Sequence, residues 1–157
     1  MIILTDTREQ LPYSFDRWPI EIQTAGLPTG DYSLSGFENQ IAVERKSLND
    51  LIGCLIGKNR VRFEKELTHA RQYELFAVVI EADFFQIANK NYHSVMNPDA
   101  VLQSITAFYI RYKIPFLFCG NRSGAEYMIY SLLQKYLYEI EKRYKQSQKS
   151  MKTAIKS

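Results

Sequence analysis

Cysteine is nearly absent from this chain: Cys54 and Cys119 are the only two in 157 residues. Both lie in apolar surroundings without metal-ligand spacing, so they read as reduced, buried, structural thiols. Histidine is as scarce, and neither His69 nor His93 stands near a paired ligand. No apolar run is long enough to span a bilayer, and Met1 leads straight into a strand without the charge and cleavage pattern of a signal peptide. A membrane is therefore not an expected partner, and a cytoplasmic placement is expected. Internal repeats and linkers are missing too, which leaves one domain at this length.

What is present starts with 46% hydrophobic residues, enough for a proper core and unlike a disordered chain. The net charge of +3 is unevenly placed. Residues 141–157 hold Lys142, Arg143, Lys145, Lys149, Lys152 and Lys156 against the single acid Glu141, so this segment carries +5 and the remainder −2. A lysine-rich stretch without an apolar period is expected to fray and can attract phosphates without sequence preference. The body is expected over residues 1–140 and the basic, frayed tail over 141–157.

Hydrophobic patterning gives the order of elements. Met1–Thr5 is a continuous apolar run, hence a buried strand, and a second strand is expected at Ile20–Thr24 after the turn at Trp18-Pro19. Tyr32–Phe37 and Ile41–Lys46 form a hairpin around Glu38-Asn39-Gln40. Ser47 with Asp50 three residues on is close to a capping box, opening a helix striped by Leu48, Leu51, Ile52 and Leu55. A break is expected near Gly57, then a helix from about Arg60 to Tyr73, a buried strand at Leu75–Glu81, and a short helix from Asp83 to Lys90. Asn97 starts a helix to about Tyr112, Pro115–Cys119 is a further strand, and a closing helix follows Ser123. Strands separated by helices predict a three-layer α/β/α sheet. The aromatics of the last two helices, Phe108, Tyr109, Tyr112, Tyr127 and Tyr130, exceed what a small core needs and are expected to form an interface in a dimer.

Chemistry concentrates in Gly30–Asp50. Strand side chains alternate, so Glu44 and Lys46 emerge on one face of their strand, and the hairpin brings Asp31 toward them. Asp6, Arg8 and Glu9 lie at the end of the first strand, where α/β proteins gather ligands. Carboxylates aimed at one place repel unless a cation sits between them, and oxygen ligands suit Mg²⁺ or Mn²⁺. With a lysine beside them, the set predicts metal-assisted hydrolysis of a phosphodiester. Glu-x-Lys alone is common in any soluble sequence; the apolar lead-in Ile41-Ala42-Val43 is what delivers these charges from a core. Lys58, Arg60, Arg62 and Lys65 cluster at a helix amino end, where they oppose the helix dipole and gain a phosphate-binding reading.

Asp6-Thr7-Arg8-Glu9, Gly30-Asp31 and Val43-Glu44-Arg45-Lys46-Ser47-Leu48-Asn49-Asp50 stand in the order and at the spacing of a known pattern. The chain resembles the ERCC4-type nuclease domain of the XPF/Mus81 endonuclease family over roughly residues 1–120, and is most similar to compact bacterial or phage members. The resemblance implies a restriction-endonuclease-like (PD-(D/E)xK) core with a mixed sheet. It also implies a Mg²⁺-dependent endonuclease acting on branched DNA (flap, fork or junction) in repair, recombination or replication, with Mn²⁺ as substitute. Asp6, Asp31 and Glu44 would hold the metal, Glu9 would be an outer or second ligand, and Lys46 would position the attacking water. Arg8 and Arg45 would orient carboxylates or touch the scissile phosphate, and Arg60 and Arg62 would contact DNA. Arg45 points away from Glu44 and Lys46 and needs a carboxylate partner, for which Asp50 is the expected residue. Larger members continue into paired helix-hairpin-helix units, whose Gly-containing turns are not found after Gly124. DNA grip is then expected from a homodimer, from a DNA-targeting partner protein, or from the tail. The alternative reading is a non-catalytic DNA-binding or scaffolding subunit; a restriction-like activity on duplex DNA is a third.

Overall fold

The computed structural model describes residues 1–157. Four short strands come first: β1 (Ile2–Asp6), β2 (Glu21–Ala25), β3 (Tyr32–Leu34) and β4 (Ile41–Lys46). Helices α1 (Leu48–Gly53) and α2 (Gly57–Ala70) lead to β5 (Leu75–Ile80), then come α3 (Phe84–Ala88), α4 (Pro98–Tyr112), β6 (Phe116–Phe118) and α5 (Arg122–Lys156). The six strands make one mixed sheet in the order β2-β1-β3-β4-β5-β6. β1 runs antiparallel to β3 and β3 to β4, whereas β1–β2, β4–β5 and β5–β6 are parallel. This is the expected α/β/α arrangement with a mixed sheet.

Alternation along the strands builds two cores. Ala42, Val78 and Ile80 face α1, α2, α3 and α4 through Leu51, Ile52, Phe63, Leu67, Ile87, Val101, Ile105 and Phe108. Ile41, Val43 and Val79 face the other side, where α5 packs through Ala125, Ile129 and Leu133 beside Tyr13, Phe15 and Tyr32. Each fully buried aliphatic or aromatic side chain is worth about 1.5–3 kcal/mol. The two layers together therefore hold the ends of β1, β3 and β4 in one place.

Element boundaries follow local chemistry. Ser47 accepts from the Asp50 amide at the start of α1, as its spacing predicts. Asp83 and Gln86 form a capping box for α3, and Asn97 and Asn121 cap α4 and α5. The strand expected to reach Phe37 stops at Leu34, because Gly36 adopts φ 89° and the Phe37 amide closes a turn onto the Leu34 carbonyl. The helix expected from Arg60 begins at Gly57, directly after Ile56. Cys54 and Cys119 are free and half-buried rather than fully buried.

Two expectations about the carboxyl half change. Residues 141–157 are helical in the structure: α5 runs 35 residues to Lys156. No Gly or Pro occurs after Gly124, so good helix formers extend a helix whose first half is anchored in the core. The aromatic surplus is largely consumed indoors as well. Phe108 and Tyr112 are buried in the α4 core, and Tyr130 stacks on Trp18 with ring centroids 4.1 Å apart. Tyr109 and Tyr127 are exposed but belong to helices on opposite layers of the sheet. The five do not make one face.

Candidate active site

Three backbone connections assemble the site from separate stretches of sequence. The Asp6 amide donates to the Asp31 carbonyl at 2.8 Å, and the Asp31 amide donates to the Val43 carbonyl at 2.9 Å. The Arg45 amide in turn donates to the Asp31 carboxylate at 2.8 Å. Strand ends β1 and β4 are thereby tied to Asp31 from either side. Gly30 makes this closeness possible: it sits at φ 78°, and a Cβ there would lie 2.9 Å from Ala42 Cβ and 3.3 Å from the Val43 carbonyl. Only a residue without a side chain both fits and adopts that conformation freely.

The strand ends open onto a cleft of about 310 Å³ whose lining includes Asp6, Arg8, Thr29, Asp31, Glu44 and Glu66. Pro28 and Gly30 complete the lining, and no larger aliphatic or aromatic side chain reaches it. Burial and the nearby charge of Glu44 push the Asp31 carboxyl up to about 7, against the Arg45 amide that favours its ionised form. Glu44 is pushed the same way by burial and by the charge of Glu66, with Lys46 opposing. Lys46 Nζ lies 3.2 Å from Glu44 Oε1 and 5.4 Å from the centre of the Phe63 ring. Burial alone would depress the Lys46 ammonium, but the charge of Glu44 outweighs it and raises its affinity for the proton. Lys46 is therefore a cation at neutral pH, a donor rather than a base.

Asp6 is in a different state. Arg8 donates to both of its oxygens, at 2.7 and 3.3 Å, and the Leu27 amide adds a bond of 2.9 Å. Burial would raise the Asp6 carboxyl, but these donors outweigh it and hold it below the usual carboxylate range. Arg8 itself is 71% exposed at the cleft mouth and also donates to the Leu27 carbonyl.

Glu9 and Arg45 stand away from the cleft. Arg45 grips Glu9 with two bonds of 2.9 and 2.6 Å and reaches Glu81 at 2.9 Å, with its side chain only 8% exposed. Glu81 also accepts from the Tyr13 hydroxyl and from Arg122 at 3.3 Å. Asp50, the expected partner of Arg45, is exposed in the first turn of α1 instead, because the helix carries it away from the face that Arg45 occupies. Arg60 is likewise drawn inward, donating to the Leu55 carbonyl and to Ser104 on α4 at 2.9 Å, over the Phe108 ring. Arg62 stays exposed, one turn before Glu66 on the same stripe of α2.

Asp6, Asp31 and Glu44 thus reach one cleft, with Lys46 attached to Glu44, but no three carboxyl groups are gathered closely enough to cage a metal ion alone. Mg²⁺ is commonly held by one or two carboxylates together with waters and substrate phosphates. A cleft whose acidic oxygens come from Asp6, Asp31, Glu44 and Glu66, with the Asp31 and Glu44 carboxyls raised, fits that requirement.

A search of curated proteins found no sequence match. Among solved structures, XPF from Aeropyrum pernix shares the fold with a TM-score of 0.66 and 19% identity, over 92% of this chain and 69% of that one. XPF from Aeropyrum pernix in complex with DNA matches with a TM-score of 0.61 and 18% identity, over 88% and 66%. This chain therefore spans about two thirds of the length of either. The family model for the ERCC4 domain matches residues 5–132, which include every strand end that lines the cleft, and the chain belongs to the ERCC4 domain family.

Proposed function

We propose that this protein is a metal-dependent endonuclease that hydrolyses phosphodiester bonds in branched DNA. The observation that carries the reading is that Asp31 and Glu44 line one cleft, Asp31 raised by burial and the charge of Glu44 and Glu44 raised by burial and the charge of Glu66, beside an ammonium at Lys46. Such a site is costly as it stands and relaxes when a cation and a phosphate enter together. Family membership and the likeness to XPF, one structure of which is a DNA complex, support DNA as the substrate.

Asp31 and Glu44 would hold Mg²⁺, or Mn²⁺ in its place, with Asp6 beside them; the ion would supply Lewis-acid polarisation of the phosphate and activation of a water. The protein's own groups do the rest. Lys46, fixed as a cation by Glu44, donates to the attacking water or to the charge that develops on a phosphate oxygen. Arg8 lies exposed at the mouth, so its guanidinium can exchange Asp6 for the incoming phosphate, a bidentate partner of the same geometry. Arg62 and Lys58, on the stripe of α2 that leads to Glu66, extend the positive path outside the cleft. The Arg45–Glu9–Glu81 network holds Asp31 through the Arg45 amide rather than touching the substrate.

The test is a panel of flap, fork, junction and plain duplex DNA with Mg²⁺ or Mn²⁺. Cleavage is expected on branched substrates only, and Asp31→Ala is expected to abolish it. Equal cutting by wild type and Asp31→Ala would refute the assignment. Tight DNA binding with no metal-dependent cutting on any substrate would point to a scaffolding subunit instead.

A further inference from the structure

Past Ile140, α5 leaves the body of the protein. Every residue from Glu141 to Ser157 is exposed, and the last tie to the sheet is Arg143 donating to Glu74 at 2.7 Å. Lys142, Lys145, Lys149, Lys152 and Lys156 follow one another at intervals of three and four residues on this continuous helix. At 3.6 residues per turn they fall within one arc of about 80° and extend along about 21 Å. The opposite arc is the one that buries Ile129 and Leu133 against the sheet, so the lysines face outward. No acid occurs from Lys142 to Ser157. An ordinary solvated helix face mixes both signs, whereas here neighbouring lysines repel one another along a face whose one acid is Glu141 at its head, four residues before Lys145. Tyr138 heads the stripe, half exposed, with Lys135 over its ring at 5.7 Å.

Two ion pairs mark the position of the stripe relative to the cleft. Arg122 reaches Glu81 at the cleft end of β5, and Arg143 reaches Glu74 at its other end. Six strand residues separate these points, about 20 Å. The lysines therefore project from the pole of the sheet opposite the cleft.

We propose that this stripe is a second DNA site, which takes the phosphate backbone of an arm of the substrate remote from the bond being cut. The identity of the polyanion as DNA rests on the nuclease reading above. An anionic membrane fits the geometry less well. A helix lying on a bilayer must offer a continuous apolar arc to the lipid, whereas here the sheet covers that arc through the first half of α5 and the free half shows only Tyr144, Met151 and Ile155 on it. Phosphates spaced along a duplex match a row of outward lysines without demanding the apolar face.

The experiment uses the full chain with all five lysines changed to glutamine, and a second variant with all five changed to arginine. Circular dichroism checks that the helix persists in both. Binding to forked and plain duplex DNA is read by fluorescence anisotropy without metal, across a salt series. The glutamine variant is expected to bind at least ten-fold more weakly at low salt. Its log–log salt slope is expected to shrink by about 3, the loss of three or more phosphate contacts, while the arginine variant binds like wild type. The cleavage rate of the glutamine variant at saturating DNA is expected to stay unchanged. Unaltered affinity and slope in the glutamine variant would overturn the proposal. So would loss of binding to phosphatidylserine vesicles with DNA binding intact, which would assign the stripe to membranes. Because binding is read without metal, a failed cleavage assay leaves this result standing, and a protein that cuts DNA but ignores the substitutions refutes the stripe alone.

Discussion

Glu44 and Arg45 are adjacent on β4, yet the charges around them are balanced in opposite ways. On one face, each of the three guanidinium nitrogens of Arg45 donates to Glu9 or Glu81, and Glu81 is further covered by Tyr13 and Arg122. On the other, Asp31, Glu44 and Glu66 line the cleft with Lys46 as the buried cation that Glu44 holds. The first set is closed and acts as a strut; the second is short of positive charge and open to solvent. The difference shows where this fold keeps rigidity and where it keeps reactivity.

The comparison breaks most directly at Arg45. Arg45→Met strands two buried carboxylates, and a loss of about 3–5 kcal/mol is expected in urea unfolding. A loss below about 1 kcal/mol would show that the strut is not structural. At Asp31 the sign reverses in metal-free buffer. Its folded-state carboxyl titrates near 7, above the unfolded value of about 3.9, so its contribution is fully present below pH 4 and is lost as pH rises toward and through 7. Asp31→Asn should therefore be more stable than wild type at pH 8 without metal, by up to ~4 kcal/mol, and this gain should vanish at pH 4. Calorimetry at the two pH values checks it, and Mg²⁺ should narrow the gap at pH 8. Glu66→Gln removes a charge that opposes ionisation of Glu44, and the acid limb of any cleavage profile should move to lower pH with about ten-fold weaker metal affinity. Arg8→Ala is the smallest step: stability should change by under about 1 kcal/mol, since Arg8 is mostly exposed, while Mn²⁺ binding measured by calorimetry should strengthen as Asp6 is freed.

Much of this site was legible in the sequence because its residues sit at strand ends with local signals. Asp6 follows an apolar run, Asp31 follows a glycine, and Glu44 and Lys46 share strand parity; all four meet where alternation places them. Glu66 was missed because nothing distinguishes it locally from Glu64, two residues earlier on the same helix. Its one signal is position beside the inward Leu67 on the helix that covers the site strand. The partner of Arg45 was misassigned because Asp50 is near in sequence, whereas Glu81 is near only through the parallel register that aligns Lys46 with Ile80. Arg60 looked free for DNA because its acceptors, Leu55 and Ser104, are set by how α4 packs on α2. The tail looked unstructured because its own sequence lacks an apolar period; the helix is inherited from the packed segment before it.

The two ion pairs that fasten α5 to Glu81 and Glu74 flank β5 at both ends. Between those ends α5 packs on β5 through Ala125, Ile129 and Leu133 against Val79, and the lengths of the two elements cannot drift independently. Two residues inserted into β5 lengthen it by about 6.6 Å, which α5 can follow only by gaining roughly one turn, about 5.4 Å, between Arg122 and Arg143. Insertions in these two segments should therefore be tolerated together or not at all, a coupling between stretches of sequence that share no motif.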